Sequence, residues 1–291
     1  MNGIFTERAS AKVNLTLKVL GRRSDGYHAL ESLVVFAADV HDVITLDSAA
    51  PPLVRVDGPT AAQLTGKNLV AEAQTLLHHL APDEPIGALH LEKQLPIAAG
   101  IGGGSADAGA VLRLVQRAYP HVPEWRDLRA VAKQLGADVP VCFTNHASVM
   151  TGIGEHLEPA LLPAACAIVL VNCQQQVPAD KTARVFRSLA APAHINSARP
   201  TPSLKFADVD ALASYMTQHD NDLEPVATQI MPAILEVLEA VVATQGCRIA
   251  RMSGAGPTCF GIFDTIEHAA DAVHELTSRY PNWWIKSSRL Q

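Results

Sequence analysis

The chain has 291 residues, 48% of them hydrophobic and 18% charged, with a formal net charge of −6 at pH 7. That length suits two packed lobes, the composition excludes a disordered chain, and the acidic balance argues against a nucleic-acid backbone or an anionic membrane as the main partner. Five cysteines, an odd number without a CxxC pair, exclude a disulfide framework or structural zinc site and point to a reducing cytoplasm.

Residues 1–11 lack the apolar stretch of a signal peptide. Residues 11–19 alternate, with Val13, Leu15, Leu17 and Val19 opposite Lys12, Asn14, Thr16 and Lys18, which predicts one half-buried strand. A turn follows at 22–26, then strands at 33–36, 43–46, 54–56 and 89–92. Asn68 is placed to cap a helix carrying Leu69, Ala73, Leu76, Leu77 and Leu80. Helices are expected at 106–117 and 128–135. The run from Leu161 to Val171, about half a membrane span and interrupted by Pro163, reads as a linker and a buried strand, so the protein is expected to be soluble. Beyond it come helical patterns near 180–190, 206–217 and 232–245, and strands at 248–252, 259–262 and 284–286. The segment 191–204, rich in Pro, Ala and Ser, reads as an exposed loop. Runs of strands with helices between them make the class α+β, with two lobes meeting near residue 160.

Chemistry concentrates first in Pro96-Ile97-Ala98-Ala99-Gly100-Ile101-Gly102-Gly103-Gly104-Ser105. Glycines at the start of a helix let a phosphate approach the backbone, where consecutive amides and the helix dipole favour an anion. Ser105 is expected to cap that helix and to offer a hydroxyl to phosphate or metal. A Walker loop would need a GK[ST] ending, and the dinucleotide fingerprint a third glycine where Ser105 stands; both are excluded.

The pattern from Pro96 through Gly100, Gly102, Gly104 and Ser105 to Asp107-Ala108 resembles the phosphate loop of the GHMP kinase superfamily. Ala11-Lys12-Val13-Asn14-Leu15 resembles its first motif and Ser253-Gly254-Ala255-Gly256-Pro257-Thr258 its third. Within it, Gly21-Arg22-Arg23-Ser24-Asp25-Gly26-Tyr27-His28, Gly136-Ala137-Asp138-Val139-Pro140 and Asn221-Asp222-Leu223-Glu224 are similar to the 4-diphosphocytidyl-2-C-methyl-D-erythritol kinase family. Ile97 and Ile101 replace the usual Leu or Met, and Met252-Ser253 the usual Leu-Thr; these differences are conservative.

The resemblance implies an α+β, two-lobed GHMP kinase fold. Residues 1–160 would form a lobe like ribosomal protein S5 domain 2, and 161–291 a ferredoxin-like lobe. It implies ATP-dependent phosphorylation of the 2-hydroxyl of 4-diphosphocytidyl-2-C-methyl-D-erythritol, in the non-mevalonate isoprenoid precursor pathway. Asp138 would be the base and Lys12 its electrostatic partner at the transferred phosphoryl group. Pro96, Gly100, Gly102, Gly103, Gly104 and Ser105 would cradle the ATP phosphates. Asn14, Tyr27, His28, Phe186, Gly254, Ala255 and Gly256 would contact the substrate, with Tyr27 stacked on cytosine, His28 bonded to its polar edge and Phe186 a candidate for the opposite wall. Mg²⁺ would be held mainly by phosphates and water, with Ser105 as the protein ligand. Lys93, Leu69 and Val56 or their neighbours are candidates for the adenine pocket. The expected partner is a small cytidine diphosphate compound, with no nucleic acid or membrane, and the expected state a cytoplasmic monomer or weak homodimer.

Overall fold

β1 (Ile4–Asn14), β2 (Lys18–Arg22) and β3 (His28–Asp47) open the chain. This computed structural model describes residues 3–24, 26–84, 86–120, 125–178, 180–189 and 203–291; Asp25 and most of the 191–204 loop lie outside them. The single strand expected over 11–19 is in fact two, and of its polar side only Lys18 is exposed. Lys12, Asn14 and Thr16 are as buried as Val13, Leu15 and Leu17. The strands expected at 33–36 and 43–46 are parts of the one strand β3, which runs unbroken through residues 37–42.

Two compact units divide the chain, and β3 contributes to both. One contains Met1–Ala11, His41–Ile97 and Gly102–Asn145. Here β4 (Val54–Asp57) runs parallel to β5 (Ala88–Glu92), which pairs antiparallel with residues 43–47 of β3. α1 (Leu69–Leu80) starts at Asn68, whose side chain accepts the Val70 N–H as expected. It packs on α2 (Gly103–Ala118) and α3 (Trp125–Leu135), which in turn pack on α4 (Val139–Thr144). α2 and α4 approach so closely that a Cβ on Gly109 would lie 2.7 Å from the Cys142 backbone, which requires glycine there. Arg113 of α2 ties the end of α4 down, donating to the Cys142 carbonyl and to Glu7 of β1.

In the other unit β3 pairs with β2 and with β6 (Ser148–Gly152), β6 with β7 (His156–Leu161), and β7 with β9 (Leu204–Lys205). β8 (Ala167–Asn172) precedes α5 (Lys181–Ser188), α6 (Val209–Gln218), α7 (Glu224–Ile230) and α8 (Ala233–Val242). β10 (Cys247–Met252), β11 (Cys259–Phe263), α9 (Ile266–Arg279) and β12 (Trp284–Arg289) follow. The antiparallel order β10-β11-β8-β12 is that of a ferredoxin-like sheet. α8 and α9 pack on it over a core including Val169, Val171, Val237, Val241, Phe263 and Leu276. The sequence pattern does not reveal α4, α7 and α9: the first two are of six and seven residues and open with Pro at N1 or N2. No helix among the described residues is long and apolar enough to cross a membrane.

Candidate active site

The Gly-rich segment behaves as a helix start, with one correction. α2 begins inside it, at Gly103, so Gly102 rather than Ser105 is the N-cap, with φ +63°. Its first intrahelical bond runs from the Ala106 N–H to the Gly102 carbonyl at 2.8 Å, leaving the amides of Gly103, Gly104 and Ser105 with no intrahelical acceptor. Gly104 is exposed, Gly103 and Ser105 are half-buried. Three amides at the positive end of a sixteen-residue helix have the chemistry to receive an anion. Among the described residues no three His, Cys, Asp or Glu side chains are grouped to hold a metal.

Behind the helix start, Lys93 is buried and its ammonium donates to Asp42 and, at 2.7 Å, to Asp107. Asp42 also accepts the Leu95 N–H at 2.8 Å. Burial would lower the Lys93 pKa, but Asp107 and then Asp42 outweigh it and hold it above 10.5. Burial, then Asp42, push the Asp107 carboxyl well above its usual value, and its Oδ1 has no hydrogen-bond partner. Lys93 is thus engaged by two carboxylates.

In the other unit, Gly100 meets the turn of residues 253–257. Gly100 has φ +81°, and a Cβ there would fall 2.5 Å from the Gly256 oxygen and 2.8 Å from that of Ser253. The contact needs glycine on both counts. The Ser253 hydroxyl donates to the Gly100 carbonyl at 3.0 Å and accepts the Asn14 N–H at 3.2 Å. Asn14 donates through Nδ2 to Ser32 at 2.7 Å, and the Thr258 N–H reaches the Ala99 carbonyl at 3.0 Å. Lys12 is buried, and its N–H donates to the Ile101 carbonyl at 2.9 Å. The first motif, the head of the phosphate loop and the third motif therefore meet through Lys12, Asn14, Gly100, Ser253 and Gly254.

Two residues of this network are not among the candidates the sequence supplies. Asn221 is buried and donates to the Met252 and Gly254 carbonyls at 2.9 Å each, while accepting the Leu223 N–H. Its place in Asn221-Asp222-Leu223-Glu224 marks the segment but not the role. Replacing it with Ala strands three buried backbone groups, with an expected cost of about 2–4 kcal/mol in urea unfolding. The other is Lys181, which a sequence reads as a solvated helix lysine.

Asp138 is the N-cap of α4, half-buried, with Pro140 in the first turn. It lies in the unit that carries residues 102–105, and Lys12 lies in the other. The His28 and Phe186 rings stack directly, with centroids 5.0 Å apart and planes at 27°, and Tyr27 is 59% exposed. His28 and Phe186 thus come together in direct contact. Burial and, second, Arg22 lower the His28 pKa below 6.5, so the ring is neutral at pH 7.

A helix start built of glycines and braced behind by a buried lysine, in a chain whose other unit holds a ferredoxin-like sheet, defines a GHMP kinase. The model of the GHMP kinases N terminal domain matches residues 68–146, and that of the GHMP kinases C terminal region matches 202–282. The chain is 42% identical to the 4-diphosphocytidyl-2-C-methyl-D-erythritol kinase of Paramagnetospirillum magneticum, over 98% of each chain. It is 44% identical to that of Methylobacterium radiotolerans, over 99% of each. A crystal structure of 4-(cytidine 5'-diphospho)-2C-methyl-D-erythritol kinase superposes with TM-score 0.74 at 32% identity, covering 98% of this chain and 99% of that one. Homoserine kinase from Cytophaga hutchinsonii, 15% identical with TM-score 0.69 over 100% and 96% of the two chains, shares the fold. The chain belongs to the 4-diphosphocytidyl-2-C-methyl-D-erythritol kinase family.

Proposed function

We propose that this chain transfers the γ-phosphoryl group of ATP to the 2-hydroxyl of 4-diphosphocytidyl-2-C-methyl-D-erythritol, giving ADP and the 2-phosphate. The observation that carries the kinase reading is the N-terminus of α2, where three amides face outward from a glycine-walled start. Residues 1–160 and 161–291 are the two lobes of this assignment. The amides of Gly103, Gly104 and Ser105 bind phosphate oxygens, and Mg²⁺ neutralises phosphate charge when bound. Asp138 takes the hydroxyl proton as the O–P bond forms, and the Lys12 ammonium stabilises the charge gathering on the transferred group. Asn14 and residues 254–256 position the alcohol.

Cytosine is recognised at Tyr27, His28 and Phe186. The exposed Tyr27 ring offers a stacking face and neutral His28 an acceptor. Phe186→Ala is expected to raise KM for the cytidylated substrate about tenfold to a hundredfold, the worth of one stacked base. The same KM is expected to be flat near pH 7 and to rise below pH 6.5, as protonation removes the His28 acceptor. His28→Ala is expected to raise KM and abolish that dependence.

A coupled ADP-release assay tests the whole reading. It compares the cytidylated substrate with the uncytidylated alcohol, homoserine and mevalonate. Turnover confined to the cytidylated compound is expected; equal turnover of the free alcohol would sink the cytosine site, and preference for homoserine or mevalonate the substrate.

A further inference from the structure

Lys181 opens α5 and is 3% exposed, yet it makes no ion pair among the described residues. The nearest carboxylate in sequence, Asp180, is turned to Arg184 at 2.7 Å and Arg187 at 3.1 Å. The Lys181 ammonium is directed instead at the carbonyl oxygen of Gly256. That same oxygen is the atom a Cβ on Gly100 would strike. The Gly256 carbonyl is therefore held between the head of the phosphate loop on one side and a buried ammonium on the other. Burial alone brings the Lys181 pKa down to about 8, with no charged neighbour among its causes.

A cation buried without a counter-ion is unfavourable for folding, and an apolar side chain of the same length would fill the space at less cost. What the ammonium adds is direction: it fixes the orientation of one peptide group whose other contact is Gly100. Further along, α5 carries Phe186, stacked on His28. The helix that begins under the third motif thus ends at the ring pair assigned to the base.

We propose that Lys181 is a positioning residue for phosphoryl transfer, its ammonium clamping the Gly256 carbonyl so that the turn of residues 253–257 keeps Gly100 in register. The inference rests on the kinase reading above. It concerns geometry needed as the phosphoryl group moves, so it predicts a loss in kcat rather than in binding.

The test uses the full chain and its Lys181→Met and Lys181→Arg variants, with kcat, KM for ATP, KM for the cytidylated substrate and thermal melting measured on each. Lys181→Met is expected to melt at or above the wild-type temperature, to keep both KM values within about twofold, and to lose about tenfold to a hundredfold in kcat. Lys181→Arg, which keeps charge and donors, is expected to recover most of that loss. A Met variant with wild-type kcat overturns the proposal, as does an Arg variant no better than Met. A Met variant that fails to fold, or raises both KM values while melting early, assigns Lys181 a structural role and also overturns it. A wild-type chain that releases no ADP with the cytidylated substrate removes the kinase reading itself, a result distinct from any loss confined to the variants.

Discussion

Asp138→Asn is expected to slow turnover by about 10²–10⁴-fold, the range for losing a positioned general base, with KM for ATP little changed. The carboxamide is isosteric with the carboxylate, and Asp138 makes no side-chain cap hydrogen bond to α4. The melting temperature measured on both proteins is the control. Lys12→Met is expected to cost about 10²–10³-fold, since a buried side chain of similar length replaces the ammonium and removes its charge. The double variant discriminates best. If both groups act on one transferring phosphoryl group, the two losses do not multiply, and the double variant is barely slower than Asp138→Asn alone. Multiplicative losses would show that the two residues act independently, and an Asp138→Asn enzyme of full activity would remove the base from the mechanism.

The sequence displays the phosphate cradle because glycine leaves a local signature: the backbone there must accept positive φ and close approach, and no other residue does both. It displays Asn68 as a cap for the same local reason. Tertiary relationships stay hidden. Lys12, Asn14 and Thr16 alternate with apolar residues and mimic a solvated face, yet each is covered by chain from elsewhere, Asn14 by Ser253 more than two hundred residues away. Asn221 spends its three hydrogen bonds on backbone groups of residues 223, 252 and 254, which no periodicity announces. The burial of Lys93 and Lys181 leaves no local pattern either, because what covers each comes from elsewhere in the chain. The short helices α4 and α7 leave no readable pattern because six or seven residues do not complete two turns, although α4 carries the proposed base.

Lys93→Met is expected to produce the largest loss of stability, about 3–5 kcal/mol, because it leaves the carboxylates of Asp42 and Asp107 buried without their cation. The sign with pH distinguishes this from a packing defect. Asp107 has a folded pKa well above its unfolded value near 3.8, through burial and then Asp42. Between those two values the native state binds the extra proton, so this carboxyl lowers stability as pH climbs through the window. Lys93 works against that rise, and removing it extends the window upward. The deficit of Lys93→Met in urea unfolding should therefore be larger at pH 8 than at pH 5. Lys93's own titration does not interfere, since its folded pKa lies above 10.5 and its contribution is lost only as pH rises through that value. Asp107→Asn supplies the opposite sign. It keeps Lys93 paired with Asp42, removes the like-charge repulsion, and is expected to gain on the wild type as pH rises from 5 to 8. A Lys93→Met deficit independent of pH, together with an Asp107→Asn variant that gains nothing, would remove the raised titration of Asp107 as the origin of the effect.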